Sequence, residues 1–291
     1  MNATARYLTL VFVSGSVFTT GLLAQAPKVD FPQASPTATL KQHVGLTDVE
    51  IVYSRPGVKG RTIFGGLVPY DVVWRTGANA ATKISFSTPV KLNGNDIPAG
   101  KYALYTIPGE KEWTIIISKD TAATIFTYSP TNDLVRFKVT PVLLKDTSIE
   151  TFVIEFNHIQ DESAVINLAW DKTVVPIKLE VDVVSKVLPQ IDAALSSTNK
   201  QQAGFYYQSA MFYFNHDQDL KKALAWLNTG LADKPRIAYE LLNLKARILA
   251  KQGDKEGAIA AAKQSSDLAI QAEGPTSSFV KMNQDLISGL H

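Results

Sequence analysis

The run Y-A-L-Y-T-I-P-G-E-K-E-W-T-I-I-I-S at residues 102–118 decides the fold class of this chain. Tyr102, Leu104 and Thr106 fall on one face of an extended segment, and Ala103, Tyr105 and Ile107 on the other. Pro108 to Glu112 then supply turn chemistry, and Trp113 to Ser118 resume a strand. The unit is an antiparallel hairpin, and the same period of two extends outward from it in both directions. Val49, Ile51 and Tyr53 alternate with more polar neighbours, as do Ile84 and Phe86; Asn93-Gly94 marks a tight turn and Pro98-Ala99-Gly100 a strand start. Further strands are expected over 135–139, 151–156, 165–170 and 174–181. About nine short strands punctuated by turns predict a sandwich or a jelly-roll-like barrel over residues 37–184. A parallel sheet needs crossover helices, and the pattern between these strands holds none.

Beyond Lys186 the period changes. Tyr206, Ala210, Tyr213 and Phe214, then Leu220, Ala223, Leu224 and Leu227, recur at three- and four-residue steps, which predicts amphipathic helices over 201–291. Aligning Ala223 with Ala258 superimposes two helix pairs at a shift close to the tetratricopeptide period of about 34 residues. Ala246 and Ala258 are small enough for close helix approach, Gly253-Asp254 falls in a turn, and Phe279, Met282, Leu286 and Ile287 give a last helix a capping face. An ordinary helical bundle explains the same alanines. Pro189 and residues 196–200 read as a hinge, with 185–200 a linker or short helix. The chain as a whole is expected to be α+β, an all-β domain followed by a tetratricopeptide-like helical one.

The amino terminus reads as export machinery. Arg6 precedes a short apolar core, Leu8 to Val13 with Val17, Phe18, Leu22 and Leu23, broken by Ser14, Gly15, Ser16, Thr19, Thr20 and Gly21. That suits a signal peptide over 1–24 better than a membrane span of about 20 apolar residues. Cleavage after Ala24 avoids placing Pro27 first in the mature chain, and the proline-rich 25–36 is a leader. The expectation is an exported protein, periplasmic or outer-surface, with no membrane span once the signal is removed. With no cysteine in 291 residues, disulfides and a lipidated cysteine are excluded. Hydrophobic residues make up 45%, enough for the fold to rest on its apolar core. A net charge of +2 without basic runs argues against nucleic acid as a partner.

The segment Tyr53 to Asn79, Y-S-R-P-G-V-K-G-R-T-I-F-G-G-L-V-P-Y-D-V-V-W-R-T-G-A-N, sets Arg55, Lys59, Arg61 and Arg75 against the single acid Asp71 and interleaves five glycines. Guanidinium forks pair with carboxylate or phosphate, and glycine admits close backbone approach. Tyr53, Arg55, Lys59, Arg61, Tyr70, Trp74, Arg75 and Asn79 are therefore the candidate ligand-binding residues, for an anionic or polar small molecule or glycan. In one reading the cations converge on one mouth of the sandwich; in the other they pair with Asp48, Glu50 or Asp133, or satisfy carbonyls of a long ordered loop.

Other chemistry finds little support. The four histidines show no helical metal spacing; His43 and His158, expected in different strands, carry a shared metal only weakly. Asn215 to Asp219 resembles the start of a calcium loop, but Leu220 and Trp226 stand where glycine and the bidentate acid are required, so it reads as an inter-helix turn. No cysteine nucleophile or G-x-S-x-G elbow exists. No catalytic residue, metal or cofactor is assigned.

Ala34-Ser35-Pro36, Gly45, Tyr53-Ser54-Arg55-Pro56, Lys59-Gly60-Arg61, Ile63-Phe64-Gly65, Leu67-Val68-Pro69-Tyr70 and Trp74 to Asn79 carry a resemblance. It continues through Pro98 to Tyr102, Thr106 to Gly109, Glu112 to Thr114, Asp133, Val135-Arg136 and Glu150 to Phe152. Over about residues 34–182 the chain resembles the domain of unknown function 2911 family of Gram-negative envelope proteins. The resemblance implies an exported β domain, often followed by tetratricopeptide-like helices, and transfers no activity. Family members often show a Trp-Gly pair shortly after the strand ending near Lys119, where this chain has Thr121-Ala122-Ala123-Thr124; any pocket that pair lines is altered here.

Three functions follow from these readings. The leading one is an envelope protein that binds a polar or anionic ligand on the β domain and a protein partner through the helices. An envelope hydrolase or carbohydrate-active enzyme is the second, and a purely structural assembly module the third.

Overall fold

The computed structural model describes residues 30–197 and 201–290. The expected signal peptide and residues 25–29 of the leader lie outside the described residues. So does the end of the expected linker.

The alternating segments become strands of two antiparallel sheets. The first sheet runs β1 (Thr37–Val44), β2 (Thr47–Ser54), β3 (Thr82–Phe86), β6 (Gly100–Ile107), β7 (Trp113–Ser118) and β8 (Asp133–Val139), in that spatial order. The second is ordered β10 (Ile149–Asn157), β11 (Ser163–Asp171), β12 (Thr173–Val181), β4 (Val90–Leu92) and β5 (Asn95–Ile97), with the two-residue β9 (Val142–Leu143) also on β12. Asn93 and Gly94, at φ 46° and 79°, form the left-handed two-residue turn that joins β4 to β5. Pro176 lies within β12 between the stretch paired with β9, at Thr173 and Val174, and the stretch paired with β4, from Leu179. Its missing N–H therefore breaks no bond on that flank.

Between the sheets lies one apolar core. Val49, Ile51 and Tyr53 face Phe152, Ile154, Ile166, Leu168, Trp170, Ile177 and Leu179 across it. Strands β6 and β7 are buried on both faces, because Ala103, Tyr105 and Ile116 pack beneath Val73, Ile107 and Tyr128 on the outer side.

At the carboxyl end six helices follow: α1 (Val184–Ser196), α2 (Ala203–Asn215), α3 (Leu220–Leu231), α4 (Ala238–Lys251), α5 (Lys255–Glu273) and α6 (Ser278–Leu290). The hinge expected at Pro189 is instead helix, since Pro189 sits inside α1. The run after Asn215 is a turn as expected: Asp219 caps α3 by accepting from the backbone N–H of Lys221 and Lys222. Ala246 and Ala258 are fully buried, and Phe279, Leu286 and Ile287 of α6 pack down while Met282 stays exposed. A polar chain runs through this domain's interior. Asn243 donates to Asn283 Oδ1 at 2.8 Å, Asn283 to Ser265 Oγ at 2.9 Å, and Ser265 to the Tyr239 carbonyl at 2.7 Å.

The two regions meet through α1 and α2. Val187 and Phe212 pack on the sandwich core, and Gly45, at φ 56°, lets the β1–β2 turn approach Val181 and Val183. A Cβ there would sit 2.5 Å from Val183 Cγ2. Among the described residues no helix is long and apolar enough to cross a membrane.

Candidate functional site

The loop from Arg55 to Ala81 lies across one end of the sandwich and is fastened to both sheets. Gly57 bridges Thr151 of the second sheet, the Val58 N–H donates to the Glu150 carbonyl at 2.7 Å, and the Phe152 N–H donates to the Pro56 carbonyl at 2.9 Å. At its far end Trp74 exchanges two backbone bonds with Thr106 of β6, at 2.7 and 2.9 Å. Four non-glycine residues in it take positive φ, namely Lys59, Asp71, Thr76 and Asn79. Thr76 matters most, because a β-branched residue in that region is strained. It is fully buried and held on every side: Thr82 Oγ1 donates to its carbonyl, and its own hydroxyl reaches Thr106 Oγ1 at 3.2 Å.

Trp74, next to Arg75, anchors the loop in the core. Its ring stacks on Trp170 at 5.9 Å and meets Phe152, Phe64 and Trp113 edge-on at 5.4 to 6.2 Å, and Nε1 donates to the Gly77 carbonyl at 3.0 Å. Such pairs add about 0.5–1.5 kcal/mol each beyond their buried area. The backbone before and after Arg75 is thereby fixed.

The acids named as partners for the arginines pair elsewhere. Asp48 holds His43, Glu50 holds Lys41, and Asp133 holds Arg136 and Tyr128. The carbonyl alternative describes two of the arginines. Arg55 donates from Nε to the Phe152 carbonyl at 3.0 Å, while Arg61 donates from Nε to Val58 O and from Nη2 to Gly57 O. Arg75 does neither. Its Nε is buried without a hydrogen-bond partner. Leaving such a donor unmade costs about 1–3 kcal/mol, more where charge is involved.

Arg61 and Arg75 line one hollow of about 330 Å³ at this end of the sandwich. Pro56, Val68, Trp74 and Trp170 form its walls, Leu67, Pro69 and Val72 its exposed rim, and Ile125 reaches it from the loop after β7. No carboxylate and no imidazole lines it. Of the four cations expected to converge, Arg61 and Arg75 share this lining with Trp74, and Arg55 and Lys59 do not. The other candidates lie apart. Tyr53 is a core residue whose hydroxyl donates to Ile154 O at 3.3 Å and accepts from Ile154 N at 3.0 Å. Arg55 faces β10, and Lys59 is exposed, its backbone N–H bound to Glu150 Oε1 at 3.0 Å. Tyr70 packs over Gly65, and Asn79 ties the leader to the loop through Ser35 O and Ser54 Oγ.

Ser35, Ile125 and Trp170 were not legible as site residues, because the leader, the loop after β7 and the end of β11 reach this place only in the folded chain. The loop carrying Ile125 is pinned by Tyr105, whose hydroxyl donates to Ala123 O at 2.9 Å, and by Asp120 Oδ1, which accepts from Ala122 and Ala123 N–H. Farther along, Tyr128 lies 4.8 Å from the Tyr105 ring and donates to Asp133; burial first, then that bond, pushes its hydroxyl up to about 12.

His43 is in β1, bonded to exposed Asp48 at 2.8 Å, and lines a different hollow from Arg61. His158, expected in a strand, falls in the bend after β10 at φ 49°. No cluster of metal-ligating side chains exists among the described residues.

The structure therefore defines an α+β protein, an antiparallel sandwich with one long ordered loop closing its end, followed by a helical domain. Residues 35–179 match the model of the family described as Protein of unknown function (DUF2911), and through this sandwich the chain belongs to that family. No curated protein and no solved structure matched the chain.

Proposed function

We propose that this chain is a binding protein that holds a small organic anion in the hollow between Arg61 and Arg75. The observation that carries this reading is Arg75: its Nε is buried without a hydrogen-bond partner, and the residue lines a concave space, at the low end of ligand-pocket volumes, whose surface is polar and apolar in about equal parts. A carboxylate at the accessible part of the Arg75 guanidinium would add charge-assisted hydrogen bonds that the fold does not supply. With no acid or histidine in the lining, the hollow offers no general acid–base pair, which favours binding over hydrolysis.

The rest of the reading is an envelope protein, exported through residues 1–24, whose helices hold a protein partner. The antiparallel helix pairs α2–α3 and α4–α5 support a tetratricopeptide-like arrangement. A shallow groove along α4 and α6, lined by Arg247, Met282, Asp285 and Leu286 among others, is a surface for that partner.

Calorimetric titration of the protein with a panel of small organic anions tests the central claim. Saturable binding is expected, lost in Arg75→Ala with the circular dichroism spectrum unchanged, and retained in Arg55→Ala. Anion affinity that is absent, or that survives Arg75→Ala intact, removes the reading in favour of a structural module.

A further inference from the structure

Resting on that reading, we infer that the anion is an amphiphile: an aliphatic monocarboxylate whose head meets Arg75 and whose chain runs over the apolar rim.

Charge limits the head. The hollow holds two guanidiniums, and Arg61 has already committed Nε and Nη2 to Val58 O and Gly57 O. The Arg75 guanidinium fork makes no such bonds. One carboxylate matches one such fork in charge and in planar geometry. A doubly charged phosphate, or a multiply charged acid, would carry charge into a space whose remaining lining offers Ser35 as the one hydroxyl and no further cation.

The aromatic and aliphatic side chains of the walls disfavour a hydrophilic body. A sugar acid or nucleotide presents many hydroxyls or ring nitrogens, and those set against Val68, Pro69, Trp74 and Trp170 would lose water without gaining a partner. An alkyl chain loses nothing there. The apolar lining also continues outward: Leu67 is 48% and Val72 52% exposed at the mouth, and Ile125 in the lining is followed by Phe126, which is 93% exposed. A turn in which the Thr127 N–H meets Thr124 O at 3.2 Å holds that neighbouring phenylalanine in water. Large apolar side chains gathered around one opening mark a binding surface when they are contiguous. Here they extend from a half-buried arginine, which gives the site a polar end and a greasy end.

A homologous series separates the two claims. Wild-type protein is titrated with acetate, hexanoate, octanoate and decanoate, with octanol, octyl phosphate, citrate and glucuronate as comparisons, reading calorimetry and the fluorescence of Trp74 and Trp170. Affinity is expected to tighten about three- to fourfold per methylene, as burial of each CH₂ predicts. Octanol should bind at least tenfold more weakly than octanoate. Arg75→Met should abolish the preference for octanoate over octanol, Arg75→Lys should restore part of it, and Leu67→Ser with Val72→Ser should flatten the dependence on chain length. Thermal melts of each variant report folding independently. Citrate or glucuronate bound through Arg75, with no gain from chain length, overturns the amphiphile and leaves the small-anion reading standing. Octyl phosphate binding more tightly than octanoate overturns the carboxylate head. Failure of every anion to bind the wild-type protein overturns both.

Discussion

Thr82 Oγ1 donates a 2.6 Å hydrogen bond to the carbonyl oxygen of Thr76, across the neck of the loop that presents Arg75. Thr82 begins β3 and is fully buried, so a rigid strand reaches over and holds a residue whose φ of 55° is unfavourable for threonine. Strain of about 1–3 kcal/mol persists only where surroundings enforce it. Here two threonines and the Trp74–Thr106 bridge do so. The consequence is an arginine whose backbone cannot relax away from the hollow.

Thr82→Val preserves shape and deletes that donor. The Thr76 carbonyl loses its hydroxyl partner in a buried setting, so stability should fall by about 1–3 kcal/mol in urea denaturation. Ligand affinity should fall with it, since Arg75 loses its fixed position.

Arg75→Met should act in the opposite direction on the free protein. Methionine keeps most of the apolar stem and removes a buried donor that has no partner. A gain of about 1 kcal/mol in ligand-free stability is expected, read as a raised denaturation midpoint. A loss of similar size would mean that the guanidinium is satisfied within the fold.

In the helical domain, Asn283→Leu should cost about 1–3 kcal/mol despite similar volume. Asn283 is fully buried and joins Asn243 to Ser265, so leucine strands the amide of Asn243. Because the site lies at the far end of the sandwich, ligand affinity measured on the same variant should be unchanged.

High pH should weaken the fold over a defined window. A hydrogen bond to Glu273, then burial, raises Tyr239 to about 12, and Tyr128 reaches about 12 through burial and its bond to Asp133, against an ordinary value of 10.0. A hydroxyl whose folded value lies above its unfolded one contributes stability that is fully present below pH 10.0 and is lost as pH climbs toward about 12. Urea midpoints measured between about pH 9 and pH 12 should fall, and Tyr239→Phe should make the fall shallower.

Much of the architecture was legible because its signals are local. Alternation in Val49, Ile51 and Tyr53, the Asn93-Gly94 turn and the three- and four-residue steps after Lys186 each depend on residues close in sequence, and each yielded the element expected. Pro189 misled, because a proline signals a break while α1, packed through Val187 and Ile191, runs through it. The candidate site divides in the same way. The glycine and arginine composition drew attention to this loop. It did not tell apart Arg55, which completes a carbonyl of β10, from Arg75, which completes nothing. Both are arginines one or two residues after an aromatic one, and only their distant neighbours differ.

The sequence by itself determined the two periodicities, and with them an all-β region joined to a helical one, since burying one face of a strand or a helix needs only the local spacing of apolar residues. Only the tertiary structure decided which arginine of the loop keeps a buried nitrogen without a partner. That depends on Trp170, Ile125 and Thr82 being carried to the same place by two sheets and a loop, and spacing along the chain records no distance between residues so far apart.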